Sequence, residues 1–257
     1  MGIYRLHNTV QYYDWGDTEW IPSLLGIPNP EKKPMAELWM GAHPSAPSHV
    51  ILSDGEMSLA ELIEKDAEGI LGPQVAGRFG GTLPFLFKVL AAGNPLSIQA
   101  HPDKKQAEEG FQRENAEGIP LDAYHRNYKD DNHKPELITA VTDFHAMRGF
   151  RSVDEISLEF SELFSGFQLP FSIPQGGVSK EQEERELRRF FESVLSASKV
   201  QVEHVIAHLL KEIQRQGKGD ELRYSWIKKL NMQYPGDVGV LCPLFLHVIC
   251  LRPGEGM

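Results

Sequence analysis

The hydrophobic pattern changes once, near residue 150, and this change constrains the fold more than any other feature of the chain. Before it, short apolar runs such as PSHVIL, LPFLFKVLAA and PELITAVTDFHAMRGF are separated by glycine and proline. Short apolar runs bounded by turn residues are typical of β-strands. From about residue 151 to 230, apolar residues recur every three or four positions, which is typical of amphipathic helices. We therefore predict a protein that is mainly β, with an α-helical subdomain.

This pattern divides the chain into three parts. We predict a β domain at residues 1–150, a helical domain at 151–233 and the start of a further β portion at 234–257. The last part, GDVGVLCPLFLHVICLRPGEGM, has strand-like composition and stops just after a Pro-Gly turn. A β layer that begins so late has little to pair with, so we interpret the chain as the first part of a longer protein.

Helix starts can be placed from capping residues. Ser58 is the predicted N-cap of a single helix over MSLAELIEKDAEGILG. In the helical region, the predicted caps are Ser152 or Asp154 for one helix and Ser179 for the next.

Charge and cysteine content bear on partners and compartment. The net charge is -10 at pH 7, which disfavours nucleic acids and anionic membranes because both select a basic surface. The longest apolar runs fall short of the roughly 18 residues of a membrane span. Two cysteines, Cys242 and Cys250, are too few for a disulfide scaffold. We interpret them as reduced core thiols of a cytoplasmic protein.

Polar residues interrupt the run PLSIQAHP at residues 95–102. We predict a strand here, in which Ser97, Gln99 and His101 share one face because side chains alternate. Leu96 and Ile98 would then face the core. Three polar residues in register, ending at a proline, indicate a metal or ligand site, although polar residues also line solvated sheet faces.

A second polar stretch, NHKPEL, precedes another apolar run. Lys134 and Glu136 have the parity to share a face, and His133 is predicted to face away. Glu136 is costly to bury unless it is paired with a cation or metal. With Gln99 and His101 it forms a donor set that suits zinc or another divalent first-row ion and leaves a position open. Lys134 is either a charge-stabilising group or a solvated turn lysine.

A further histidine pair is less specific. His204 and His208 lie four residues apart in a predicted helix, a spacing that occurs in zinc sites. The glutamate of the HExxH motif is missing, since residue 205 is Val205. We interpret the pair as ordinary helix neighbours.

SIQAHPDK and HKPE resemble the signatures of the type I mannose-6-phosphate isomerases, also called phosphomannose isomerases. YDWG, AELWMGAHP and LPFLFKVL match the same family, in the same order along the chain. The resemblance implies a zinc-dependent aldose–ketose isomerase that interconverts mannose 6-phosphate and fructose 6-phosphate through a cis-enediol. It also implies a cupin-like (jelly-roll) β-barrel, a helical domain and a second barrel that is incomplete in this chain.

The same resemblance suggests residue roles. Gln99, His101 and Glu136 match three of the four family ligands of one zinc ion. Ser97 and Lys134 match residues placed around the phosphosugar, with Lys134 as the catalytic candidate. Lys88 is expected to point into the same barrel and bind substrate.

The rest of the family's site is expected beyond the sequence. The fourth ligand, a histidine, and an active-site arginine should follow Met257. The implied partner is a small sugar phosphate, with no nucleic acid or membrane, and the protein is expected to be a cytoplasmic monomer.

Two other functions are compatible with parts of the pattern. One is a cupin module that binds a metal or a sugar phosphate without turnover, which the incomplete ligand set favours. The other is a cupin oxygenase or epimerase. The Gln-x-His plus Glu set argues against the latter, because such enzymes more often hold iron with two histidines and a carboxylate.

Overall fold

The computed structural model describes residues 3–257, which form two compact units. The first unit ends at Ser97, and the second comprises Ile98–Met257. Helices hold more of the described residues than strands do, so this part of the chain is a mixed helix-and-sheet protein rather than mainly β. Its three sheets have two or three strands each, and none of them is closed.

The first unit contains two antiparallel sheets and four short helices. The strands are β1 (Arg5–His7), β2 (Thr9–Gln11), β3 (Glu37–Met40), β4 (His49–Leu52), β5 (Gly55–Ser58) and β6 (Phe87–Leu90). The helices are α1 (Trp20–Leu25), α2 (Leu59–Lys65), α3 (Ala67–Leu71) and α4 (Pro73–Arg78). The sheet orders are β1-β4-β5 and β2-β3-β6. The predicted strands in PSHVIL and LPFLFKVLAA are therefore confirmed as β4 and β6.

The helix predicted from MSLAELIEKDAEGILG is two helices. Ser58 is the N-cap, as predicted, and its hydroxyl accepts the Ala60 N–H at 3.2 Å. Asp66 then ends α2 and caps α3, because its carboxylate accepts the Gly69 N–H at 2.9 Å. An Asp side chain that bonds a nearby backbone N–H competes with continuation of the helix.

The second unit is mostly helical. Its helices are α5 (Lys104–Ala116), α6 (Val153–Leu163), α7 (Lys180–Leu195), α8 (Lys199–Arg215), α9 (Leu222–Gln233) and α10 (Cys242–Phe245), with a 3₁₀ turn at Val238–Leu241. Ser152 and Ser179 are the N-caps of α6 and α7, as predicted. In the part of the chain that the structure describes, no helix combines the length and apolar composition needed to cross a membrane.

Aromatic side chains form the centre of the helical core. Phe160, Phe190 and Phe245 are each at most 1% exposed. The Phe190 ring meets the other two edge-on, with centroids 5.4 Å apart in both pairs, an arrangement that the ring quadrupole favours. Cys242 is buried in the same core and Cys250 is half-buried, and both are free thiols.

The helices α6 to α10 are preceded by one strand and followed by another, and these two strands form an antiparallel pair. These strands are β7 (Phe144–Phe150) and β8 (Leu246–Leu251). The register runs from Phe144 opposite Leu251 to Phe150 opposite Leu246, with an irregularity between Arg148 and Phe150. The end of β7 and the start of β8 are therefore neighbours in the sheet, although α6 to α10 lie between them in the sequence.

Two strand predictions are wrong. The backbone of residues 95–103 is irregular, and Leu96 and Ile98 are 38% and 50% exposed rather than in the core. None of the strands β1 to β8 pairs with this segment. Without a hydrogen-bonded partner strand, the alternation of polar and apolar residues does not produce a strand here. Residues 238–245 are helical instead of extended, because Asp237 caps their first turn and Pro243 is placed where a helix start tolerates it.

Candidate metal centre

An imidazole and a carboxylate meet in the irregular part of the second unit. His101 precedes α5, and Glu136 lies in the long segment that follows that helix. The distance from His101 Nε2 to Glu136 Oε2 is 3.1 Å. Their side chains are 28% and 55% exposed, so both donors can be reached from solvent. The structure thus brings together two of the three predicted metal ligands.

Lys134 lies beside the same carboxylate. Its Nζ is 3.3 Å from Glu136 Oε1, and its side chain is 54% exposed. Partial burial raises the pKa of the Glu136 carboxyl group, but the Lys134 charge and the hydrogen bonds from His101 and Lys134 lower it by more, so the net pKa lies below the ordinary value. Glu136 is therefore a carboxylate anion at neutral pH, the form in which a Glu side chain binds a metal.

The donor pair fits zinc. Imidazole nitrogen and carboxylate oxygen are both ordinary zinc ligands, and two donors held about 2.0–2.2 Å from one tetrahedral zinc ion lie roughly 3.3–3.6 Å apart. The observed separation of 3.1 Å is close to that distance. Within residues 3–257, the structure contains no group of three or more His, Cys, Asp or Glu side chains arranged for a metal ion.

Gln99 is the third predicted ligand, and its role stays a prediction. Gln99 and Ser97 are both exposed on irregular backbone. Gln99 is two residues from His101 in the chain, although the strand that was expected to align their side chains is absent from this segment.

In the first unit, the buried carboxylate of Glu37 binds the Lys88 side chain. Trp39 is opposite Lys88 in the register between β3 and β6, and Glu37 is two residues before Trp39 on the same face. Lys88 Nζ lies 3.3 and 3.2 Å from the Glu37 carboxylate oxygens and 4.7 Å from the Trp39 ring centroid. Trp39 Nε1 donates to Glu37 Oε2 at 2.6 Å. These contacts fix the position of the Lys88 ammonium group. The contact of Lys88 with substrate stays a prediction.

An open cavity of about 490 Å³ lies beside the donor pair. Its walls are His101, Pro102, Asp103, Lys104, His133, Lys134 and Pro135. His133 was predicted to face away from Lys134, and this stays a prediction, because both residues line the cavity and no strand forms at residues 132–138. The cavity lining includes two histidines and two lysines beside one carboxylate residue, Asp103.

His204 and His208 do not form a metal pair. His208 Nε2 lies 3.1 Å from the Leu163 carbonyl, and its ring stacks on Phe167 at 4.2 Å between centroids. His204 is exposed on α8. Their interpretation as ordinary helix residues agrees with these contacts.

Sequence reasoning missed Glu37 and Lys104. Glu37 is 7% exposed, and a charged residue inside the apolar run of AELWM was the signal that it is paired. Lys104 lines the cavity at the start of α5, and its Nζ donates to the Asp131 carbonyl at 2.9 Å. Nothing in the local pattern distinguishes it from a solvated helix lysine.

Two family models cover most of the chain. The catalytic domain of type I phosphomannose isomerase matches residues 3–153, and the helical insertion domain of the same enzymes matches residues 154–246.

Curated proteins and solved structures agree with these matches. The chain is 44% identical to the mannose-6-phosphate isomerase of Salmonella typhimurium and 34% identical to that of Homo sapiens, over 98% and 99% of its length. A zinc-bound crystal structure of mannose 6-phosphate isomerase covers 99% of the chain at 40% identity and a TM-score of 0.83. Another, from Salmonella typhimurium with fructose 6-phosphate and zinc, has a TM-score of 0.82. The chain spans 63% and 62% of the two curated relatives and 62% of both structures.

Proposed function

The chain belongs to the type I phosphomannose isomerase family, and on this premise we propose that it carries the metal-binding part of an isomerase that interconverts mannose 6-phosphate and fructose 6-phosphate. The observation that supports this most directly is the contact of His101 with Glu136, with Lys134 beside it. The relatives bear the name of that activity, and one related structure holds fructose 6-phosphate and zinc.

Gln99, His101 and Glu136 would hold one zinc ion. When bound, zinc would supply a Lewis acid that stabilises negative charge on the sugar oxygens. The 3.1 Å separation and the anionic state of Glu136 support this assignment.

The proposed reaction moves a proton between C1 and C2 of the open-chain sugar through a cis-enediol. Lys134 is the catalytic residue that we assign, because its ammonium group can stabilise negative charge developing on the substrate oxygens. Ser97, Lys88 and Lys134 are each assigned to substrate binding, as the family resemblance implies. For Lys88, the buried Glu37 carboxylate supports a fixed position of the ammonium group.

The proposed architecture follows the family. Residues 1–150 would contribute a cupin-like catalytic barrel and residues 151–233 a helical domain. Residues 234–257 would be the start of a further β portion, in which β8 (Leu246–Leu251) follows the helical residues 238–245. The boundary between the two matched family domains, after residue 153, supports the first division. We further propose a cytoplasmic monomer, which the two free thiols and the net charge of -10 support.

The test is a coupled assay of mannose 6-phosphate conversion by the 257-residue chain, with added zinc and with a chelator. We expect zinc-dependent turnover in the wild type and its loss in His101→Ala. His204→Ala is the matched control, since it removes an exposed imidazole elsewhere and should change nothing. Equal zinc content in the wild type and His101→Ala would overturn the metal assignment. A folded chain that binds zinc without turnover would favour the binding module instead.

A further inference from the structure

A long irregular segment carries two of the residues at the candidate metal centre. Residues 117–138 form no helix or strand, yet they include Lys134 and Glu136. Loops of this length without secondary structure are uncommon in compact proteins and are usually functional or disordered. The contacts that hold this segment therefore determine where Lys134 and Glu136 lie relative to His101.

A buried ion pair fastens the middle of the segment to α5. Glu114 and Arg126 are each 4% exposed, and Arg126 Nε lies 3.7 Å from Glu114 Oε2. Glu114 accepts the backbone N–H groups of Asn127 at 3.1 Å and Tyr128 at 2.8 Å. Arg126 donates to the backbone carbonyls of Tyr128 at 2.7 Å and Ile119 at 2.5 Å. The pair thus fixes the backbone of the segment as well as two side chains.

Two further contacts lie along the same helix towards its start. The Tyr128 ring covers Gly110 so closely that a Cβ there would lie 2.5 Å from ring carbons. Lys104, in the first turn of α5, donates to the Asp131 carbonyl at 2.9 Å, and its Nζ lies 3.4 Å from the Asn132 side-chain oxygen. The order of the partners shows that the segment runs antiparallel to α5.

The lengths of the two paths agree. Ten helical residues from Glu114 back to Lys104 span about 15 Å. Five extended residues from Arg126 to Asp131 span at most about 17 Å. The segment is therefore long enough to follow the helix from its end to its start, with bends at residue 127 and residues 129–131. It reaches the end of α5 at which Asp103 caps the helix, two residues after His101.

We propose that Glu114 and Lys104 are positioning residues. They fasten residues 127–131 to α5 and thereby hold Lys134 and Glu136 close to His101. This inference rests on the proposed zinc-binding function. Neither residue is assigned as a metal ligand, and Lys104, which also lines the cavity, is tested here only for its hold on Asp131. A buried ion pair contributes little net stability compared with apolar packing and can be retained for the conformation that it specifies. Here that conformation is the path of the backbone that leads to the metal ligand Glu136.

The test measures zinc affinity by competition with a chelator. Removing a residue that hydrogen-bonds a metal ligand typically weakens metal binding by 10- to 100-fold. Glu114 and Lys104 act on the backbone that leads to Glu136 rather than on the ligand itself, so we expect weakening of up to about tenfold for Glu114→Gln and for Lys104→Met. Lys104→Arg should retain the affinity, because it keeps a donor for the Asp131 carbonyl. Glu117→Gln is the matched control, since it removes an exposed carboxylate just beyond α5. The visible spectrum of the Co²⁺-loaded chain should shift in the first two variants only.

A second measurement needs no metal. Hydrogen exchange at residues 129–136 should become faster in both positioning variants and stay unchanged in Glu117→Gln. Lys104 is half-exposed, so Lys104→Met keeps the test decisive should Glu114→Gln fail to fold. Wild-type zinc affinity, Co²⁺ spectrum and exchange in a folded Lys104→Met chain would overturn the inference. A wild-type chain that binds no zinc would instead overturn the proposed function, and the exchange rates would still decide whether α5 orders the segment.

Discussion

A buried carboxylate at the base of the helical core allows the sharpest stability prediction. Glu159 of α6 is 7% exposed and meets two guanidinium groups and a phenol. It accepts a close hydrogen bond from Arg151, one from Arg223 at 2.6 Å and one from the Tyr224 hydroxyl at 2.8 Å. We predict that Glu159→Gln strongly destabilises the chain, because the substitution keeps the shape but removes the charge.

The expected loss of unfolding free energy depends on the contacts that each partner of Glu159 keeps after the substitution. Removing one member of a buried ion pair typically costs 3–5 kcal/mol, because the other charge stays buried. Arg151 keeps a hydrogen bond to the Leu244 carbonyl at 2.7 Å, and the Arg223 side chain is 32% exposed. Both facts reduce the penalty, so we expect about 3 kcal/mol. At roughly 2–4 °C per kcal/mol for a unit of this size, the melting temperature should fall by about 6–12 °C.

The assay is urea unfolding followed by far-ultraviolet circular dichroism. Glu162→Gln is the matched control on the same helix, since its carboxylate is 55% exposed and lies 3.8 Å from Lys218. A surface pair of this kind contributes at most about 1 kcal/mol. Tyr224→Phe should cost about 1.5–3 kcal/mol alone and less in the Glu159→Gln background, because the hydrogen bond is then already weakened. A loss in Glu159→Gln no larger than in Glu162→Gln would refute the reasoning.

Three further predictions concern the core, a cap and pH. Phe160→Ala should lower the unfolding free energy by about 3–5 kcal/mol in urea, since the ring is fully buried; a loss below about 1 kcal/mol would contradict this packing. Ser152→Ala should cost about 1 kcal/mol by the same assay, because the Ser152 hydroxyl caps α6; an unchanged midpoint would contradict the cap. Burial and then the Asp237 charge raise the pKa of the Cys242 thiol from 9.0 to about 12. The unfolded thiol ionises first as the pH rises above 9, so this stabilisation is present below pH 9 and falls by up to about 1.4 kcal/mol per pH unit above it. The stability difference between the wild type and Cys242→Ala should therefore shrink from pH 9 to 11, and a constant difference would contradict the shift.

The sequence predicted the helical part of the fold better than the sheets. Amphipathic spacing and caps such as Ser152 act within one segment, so a local pattern suffices to locate α6 and α7. A strand needs a partner that can lie far away in the chain. The alternation in PLSIQAHP therefore predicted a strand that no described strand pairs with.

The same contrast applies to the candidate metal centre. His101, Lys134 and Glu136 were found from donor chemistry and motif, and the structure brings them together. The placement of His133 rested on strand parity, and no strand forms at residues 132–138. Glu114 could not be predicted to matter, since it reads as one more charged residue on a helix until its contact with Arg126 is known.

The pairing of β7 with β8 has a consequence for the order of folding. Phe150 and Leu246 are neighbours in the sheet, although residues 151–245 separate them in the chain. Closing a loop of that length in a disordered chain costs about 3 kcal/mol more entropy than closing a tight turn. If α6 to α10 form first, their packed core already brings the two ends of the loop together, and much of that cost has been met before the strands pair. The helices would then act as a folding nucleus for a sheet to which they contribute no strand, and a short turn in their place would leave the two strands as an ordinary hairpin.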